Sequence, residues 1–99
     1  MGINPIIIGE KIMKKYARKA YDELKNKGVH VIPPENGWGG HFAISAELYG
    51  DGSKGDDFDK KLDYYASPTG DNTIIPEILE KHGLYFEWVN GGVVAVYDN

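Results

Sequence analysis

The sequence predicts an α+β fold in which one long N-terminal helix packs on a three- to four-stranded antiparallel sheet, with one or two short helices and a C-terminal β-hairpin. Three observations predict it. Apolar residues recur at helical spacing early in the chain, short apolar or alternating runs stand between glycine and proline breaks, and two β-rich runs flank Asn90-Gly91 near the end. The 99 residues, 41% of them hydrophobic and 26% charged, suit a single domain spanning 1–99. A chain of this length buries one modest core and has no room for a large cofactor fold.

Ile12, Met13, Tyr16, Ala17, Ala20, Tyr21 and Leu24 recur every three or four residues, which predicts a helix from about Gly9 to Lys27. Glu10 with Lys14 and Glu23 with Lys27 are pairs four residues apart in the favourable orientation, and Gly28 is suited to end the helix. The opposite face carries Lys11, Lys14, Lys15, Arg18, Lys19 and Lys25, and is expected to be solvated. His30-Val31-Ile32 reads as a short strand stopped by Pro33-Pro34, and residues 35–40 as a loop.

Phe42, Ile44, Ala46 and Leu48 alternate with His41, Ala43, Ser45 and Glu47, predicting a strand with one buried side. The glycines of 50–55 break that pattern. Asp56 or Asp57 then caps a short helix that places Phe58, Leu62 and Tyr65 on one face, with Tyr65 expected in the core. Residues 67–72 are turn material, and a second short helix with Pro76 in its first turn ends at Gly83. A type I′ turn at Asn90-Gly91 would pair Trp88 with Val93, Phe86 with Ala95 and Leu84 with Tyr97. The last strand is then an exposed edge on which a homodimer can pair.

The net charge of −4 is unevenly spread: residues 1–46 carry +3, 47–71 carry −4 and 72–99 carry −3. The acids of the middle segment are Glu47, Asp51, Asp56, Asp57, Asp59, Asp63 and Asp71, with Tyr49, Tyr64 and Tyr65 beside them. Carboxylates on a loop can occupy the phosphate sites of a nucleic-acid-handling protein, and tyrosine adds rigid contact area with a polar tip. Tyr49, Asp51, Asp56, Asp57, Asp59, Asp63 and Tyr64 are therefore the candidate partner-binding residues. The acidic balance argues against direct nucleic-acid binding. An EF-hand calcium loop starting at Asp51 fails, because Asp56 stands at the glycine position and Leu62 at the bidentate glutamate position.

The loop Gly37-Trp38-Gly39-Gly40-His41 supports an alternative reading as a small-molecule binder, in which Trp38, His41, Tyr85 and Trp88 line a pocket for a nucleotide or metabolite. A small metal-dependent hydrolase using His30, His41 and the loop aspartates ranks last, because the three histidines lack metal-site spacing. Ser45, Ser53 and Ser67 lack a nucleophile-elbow context, so no catalytic residue, metal or cofactor is expected. With no cysteine, disulfides and thiolate sites are excluded and a cytoplasmic protein is the simpler reading. The opening Met1–Ile8 has a short apolar run without a basic flank, matching neither a signal peptide nor a spanning helix.

Residues 75–88 followed by Asn90–Tyr97 resemble the helix-plus-hairpin ending of small phage and prophage proteins. That resemblance covers about a quarter of the chain and implies an accessory gene product that disarms a host defence. The reading that follows from these residues is a non-enzymatic protein that blocks a basic site on a larger partner, an anti-CRISPR-like inhibitor being one instance.

Overall fold

A computed structural model describes residues 13–47 and 58–99. The described residues are α+β, with two α-helices and a four-stranded, wholly antiparallel sheet. Helix α1 spans Lys15–Asn26 and buries Ala17, Ala20, Tyr21 and Leu24, the expected stripe. It is shorter than the predicted Gly9–Lys27 helix, of which residues 9–12 lie outside the described residues, because Lys14 is extended, and Met13 packs against the core from outside the helix. Lys15 and Arg18 also oppose the helix dipole there, so the first turn favours no extension. At the other end Gly28, at φ +92°, turns the chain so that its N–H meets Lys25 O and the Val29 N–H meets Leu24 O. This is the paired-bond stop that a left-handed glycine permits, and it drops Val29 into the core.

Strand β1, Val31–Ile32, is cut off by Pro33 and a 3₁₀ turn at Pro34–Asn36. Strand β2, Phe42–Ser45, pairs with β1 on one side and with the last strand on the other. Phe42, Ile44 and Ala46 are buried as the alternation requires, but Ala43 is buried too, so the middle of β2 has no solvated face. Helix α2, Ile75–Lys81, carries Pro76 in its first turn as expected. Thr73 prepares that turn, its hydroxyl accepting from the Ile75 N–H and donating to Gly70 O. Instead of the short helix predicted after Asp56 or Asp57, the described residues show a three-residue 3₁₀ turn at Phe58–Lys60.

Strands β3, Leu84–Asn90, and β4, Val93–Asp98, form the expected hairpin in a different register. Trp88 faces Val94, Phe86 faces Val96 and Leu84 faces Asp98, one residue along β4 from the predicted partners. The ladder is irregular between Trp88 and Asn90, the closing residues are Gly91 and Gly92, and none of residues 90–92 takes a positive φ. The type I′ turn is therefore replaced by a bulged one, in which Asn90 Oδ1 accepts from the Gly92 N–H. A one-residue slip exchanges the two faces of a strand, and this one turns Val94 and Val96 toward the helices beside Phe42 and Ile44.

The strand order β1-β2-β4-β3 places the last strand inside the sheet, so the exposed edge is β3 and not β4 as the sequence suggested. Both helices and the 62–70 segment cover the face bearing Phe42, Ile44, Leu84, Phe86, Trp88, Val94 and Val96. Tyr21 meets Phe42 edge-on there at 5.2 Å.

Candidate functional site

The segment between the 3₁₀ turn and α2 builds a small platform. Asp63 Oδ1 accepts from the N–H groups of Tyr65 and Ala66, and the Ser67 N–H closes back on Asp63 O at 2.9 Å. An aspartate that bonds its own chain two and three residues on makes a tight reversal. The expected helical face therefore does not form: Leu62 is buried beneath the turn, whereas Tyr65 stands at its tip, 88% exposed. Tyr65 is thus a surface residue and not the core residue the spacing predicted.

Tyr64 links the tip to the core. It is 44% exposed, and its ring meets Tyr65 at 5.2 Å and Trp88 at 5.0 Å, both edge-on. Trp88 in turn donates Nε1–H to Pro68 O at 2.8 Å and lies against Phe86. A chain of rings therefore runs from Tyr65 inward to Phe86, and such contacts stiffen an exposed aromatic without burying it. Glu47 borders the turn across a cleft of about 580 Å³ that also includes Leu62, Gly91 and Gly92. Asp59 is exposed nearby in sequence, while Lys61 is buried with its Nζ donating to Glu47 O. The structure therefore brings the candidates Tyr64 and Asp63 together with Tyr65 and Glu47, which belong to the same acidic segment but are not among the candidate residues. Tyr49, Asp51, Asp56 and Asp57 lie outside the described residues.

A second constellation joins three elements at the far end of β4. Asp98 Oδ1 accepts the Tyr16 hydroxyl at 2.6 Å and contacts His41 Nε2 at 2.8 Å, and the Tyr16 and His41 rings meet edge-on at 5.6 Å. The Tyr16 hydrogen bond, and after it the one from His41, holds the Asp98 carboxyl below the usual carboxylate range. The same bond to Asp98 raises the Tyr16 phenol above its ordinary value. Sequence reasoning missed Tyr16 and Asp98, because Tyr16 fitted the helical stripe and Asp98 lies 57 residues from His41.

The four alternative ligand residues do not surround one pocket. Tyr85 and Trp88 border a cleft of about 360 Å³ beside α2, whose walls include neither Trp38 nor His41. His41 is engaged by Asp98, and Tyr85 donates its hydroxyl to Glu87 at 2.7 Å. Of the glycines around Trp38, Gly40 serves a backbone contact: it sits so close to β4 that an added Cβ would meet Val96 O at 2.2 Å. His30 and His41 also stay apart, because the β1–β2 register puts His30 beside Ser45, four residues along the strand from His41. Four strand residues span about 13 Å. Among the described residues no three histidine, aspartate or glutamate side chains are placed to hold a metal ion.

Glu23, expected to pair along α1 with Lys27, instead reaches across to α2. Its Oε1 lies 2.9 Å from His82 Nε2 and its Oε2 accepts from Lys81 Nζ at 2.6 Å. These contacts, His82 first, hold the Glu23 carboxyl below its ordinary value. A carboxyl whose pKa falls on folding contributes stability in full above its unfolded pKa and loses it as pH falls through the folded one. Glu23→Gln is therefore expected to be less stable than the parent at neutral pH. The gap closes between about pH 5 and pH 3, as urea midpoints measured across that range would show.

Comparisons with protein-family models, curated proteins and solved structures find no match to this chain. Among the described residues no helix is long and apolar enough to cross a membrane.

Proposed function

We propose that the chain is a non-enzymatic binding protein whose acidic, tyrosine-bearing turn docks on a basic site of a larger, nucleic-acid-handling protein, as an anti-CRISPR-like inhibitor would. One observation carries the reading: Tyr65 is 88% exposed on a turn pinned by Asp63 and backed by Tyr64 and Trp88. An aromatic held rigidly in water gains by burial against a partner and loses little side-chain entropy in doing so, which is how interface hot spots arise. The exposed acids of the same part of the chain supply sign. Asp59 and Glu47 are exposed, whereas Lys61 is turned inward, so an approaching basic surface is attracted and an acidic one repelled.

The test has two arms. The tagged chain is used to capture its partner from a lysate of the source cells, and the purified partner is then titrated with wild type, Tyr65→Ser and Asp59→Lys. Tyr65→Ser is expected to weaken binding about tenfold through a faster off-rate, because truncating a central aromatic typically costs more than 1 kcal/mol. Asp59→Lys is expected to slow association and flatten its salt dependence. Both variants should keep the parental melting temperature, since both side chains are exposed. Wild-type affinity and salt dependence in both variants would overturn the reading.

A further inference from the structure

Among the described residues, strand β3 is an edge whose outward hydrogen-bonding groups are unused. The Asn99 N–H bonds Gly83 O at 2.9 Å, so Tyr85 with Tyr97 and Glu87 with Ala95 are the pairs that exchange bonds with β4. The N–H and C=O groups of Leu84, Phe86 and Trp88 consequently point away from the sheet, and among the described residues no other segment bonds to them. The other edge is unlike it, for β1 has two residues and runs into Pro33-Pro34. A seven-residue edge with free backbone groups is a template for another strand.

The flank of that edge has a shape and a charge. Between β3 and α2 lies the cleft of about 360 Å³, walled by Pro68, Pro76, Leu79, Phe86 and Trp88 with Glu80 as its one charged residue. On the opposite face of the strand Glu87 is exposed and receives the Tyr85 hydroxyl, which fixes its direction. The nearest base on α2, Lys81, is engaged with Glu23 at 2.6 Å. The edge is thus apolar on its helix side and acidic on the other. It disfavours its own kind as well: a second copy paired antiparallel along the whole strand would put Glu87 directly opposite Glu87, in the closer of the two pair types.

We infer that β3 accepts an extended partner segment as a fifth strand. Alternate apolar side chains of that segment enter the cleft beside α2, and the intervening lysine or arginine side chains meet Glu87. Main-chain bonds to Leu84, Phe86 and Trp88 provide the attraction, and the alternation provides the selectivity. This surface shares Trp88 with the support of the Tyr65 turn but makes no use of Tyr65 itself.

The test is an amide NMR titration of the full chain with two capped heptapeptides, one alternating lysine with valine and one alternating glutamate with valine. The lysine peptide is expected to shift the Leu84, Phe86 and Trp88 amides and slow their exchange with solvent, and the glutamate peptide to leave them unmoved. Glu87→Lys should weaken the lysine peptide at least fivefold and admit the glutamate peptide. Tyr65→Ser should change neither, which separates this site from the turn. Absence of shifts at millimolar peptide, shifts centred elsewhere, or an unchanged preference in Glu87→Lys would overturn the inference. So would concentration-dependent dimers in sedimentation that protect the same three amides, because the occupant would then be a second copy.

Discussion

Gly40→Ala is expected to destabilise the fold by about 3 kcal/mol, a cost in the upper tail for single substitutions. Gly40 has φ +66°, and a Cβ placed on it would lie 2.2 Å from Val96 O and 3.0 Å from Val96 C. The left-handed conformation alone costs a side-chain-bearing residue about 1–2 kcal/mol. The remainder comes from the carbonyl, which cannot withdraw: Val96 O also accepts the His41 N–H at 2.7 Å, and β4 is bound by strands on both sides. The chain must move there instead, opening the start of the β2–β4 pairing and pulling His41 from Asp98. For a domain of this size each kcal/mol lowers the melting temperature by about 4–8 °C, so a fall of about 12–24 °C is expected. Gly37→Ala is the control. Gly37 also has a positive φ, +78°, but nothing lies within 4 Å of its added Cβ, so it should lose about 1–2 kcal/mol for the backbone alone. Equal losses in the two variants would show that the approach to Val96 carries no cost.

The Trp38 loop shows why composition misleads. Glycines around an aromatic suggest a backbone that closes on a ligand, and the structure spends the same freedom closing on its own β4. Sequence encodes that a residue must lack a Cβ, and not what takes the vacated space. Elements set by local chemistry were legible: the stripe Ala17, Ala20, Tyr21 and Leu24, the stop at Gly28, Pro76 at the start of α2, and the hairpin itself. Features set by tertiary competition were not. Whether Val94 and Val96 or Val93 and Ala95 face the helices depends on a bulge at Val89, and either choice satisfies β propensity. Tyr65 fitted a helical face with Leu62 until the Asp63 side chain diverted the chain, and it became the most exposed aromatic among the described residues. The acidity of the segment was readable by counting charges, but that Glu47 borders the turn and Lys61 is turned inward follows only from packing.

The same packing makes Gly70 the residue on which the Tyr64–Tyr65 platform depends. Gly70 is buried at φ +73°, and a Cβ there would lie 2.6 Å from Leu62 Cδ2 and 3.4 Å from both Phe86 Cζ and Pro76 Cγ. Leu62 is 1% exposed, so relieving the clash means re-seating a buried side chain on top of the left-handed backbone cost, and Gly70→Ala is expected to cost about 2–3 kcal/mol. The loss should be specific in kind. Displacing Leu62 shifts the turn that follows it, which separates Tyr64 from Trp88 and alters the indole bond to Pro68 O. In a Trp38→Phe background, which leaves Trp88 as the single indole, fluorescence of the folded state should therefore change in Gly70→Ala and stay unchanged in Gly37→Ala. If the Leu62 clash is the cause, shortening that side chain relieves it. Gly70→Ala combined with Leu62→Val should be less destabilised than the sum of the single variants by about 1 kcal/mol, a coupling within the range found for residues in contact. Additive losses would place the cost in the Gly70 backbone and free the platform from dependence on Leu62.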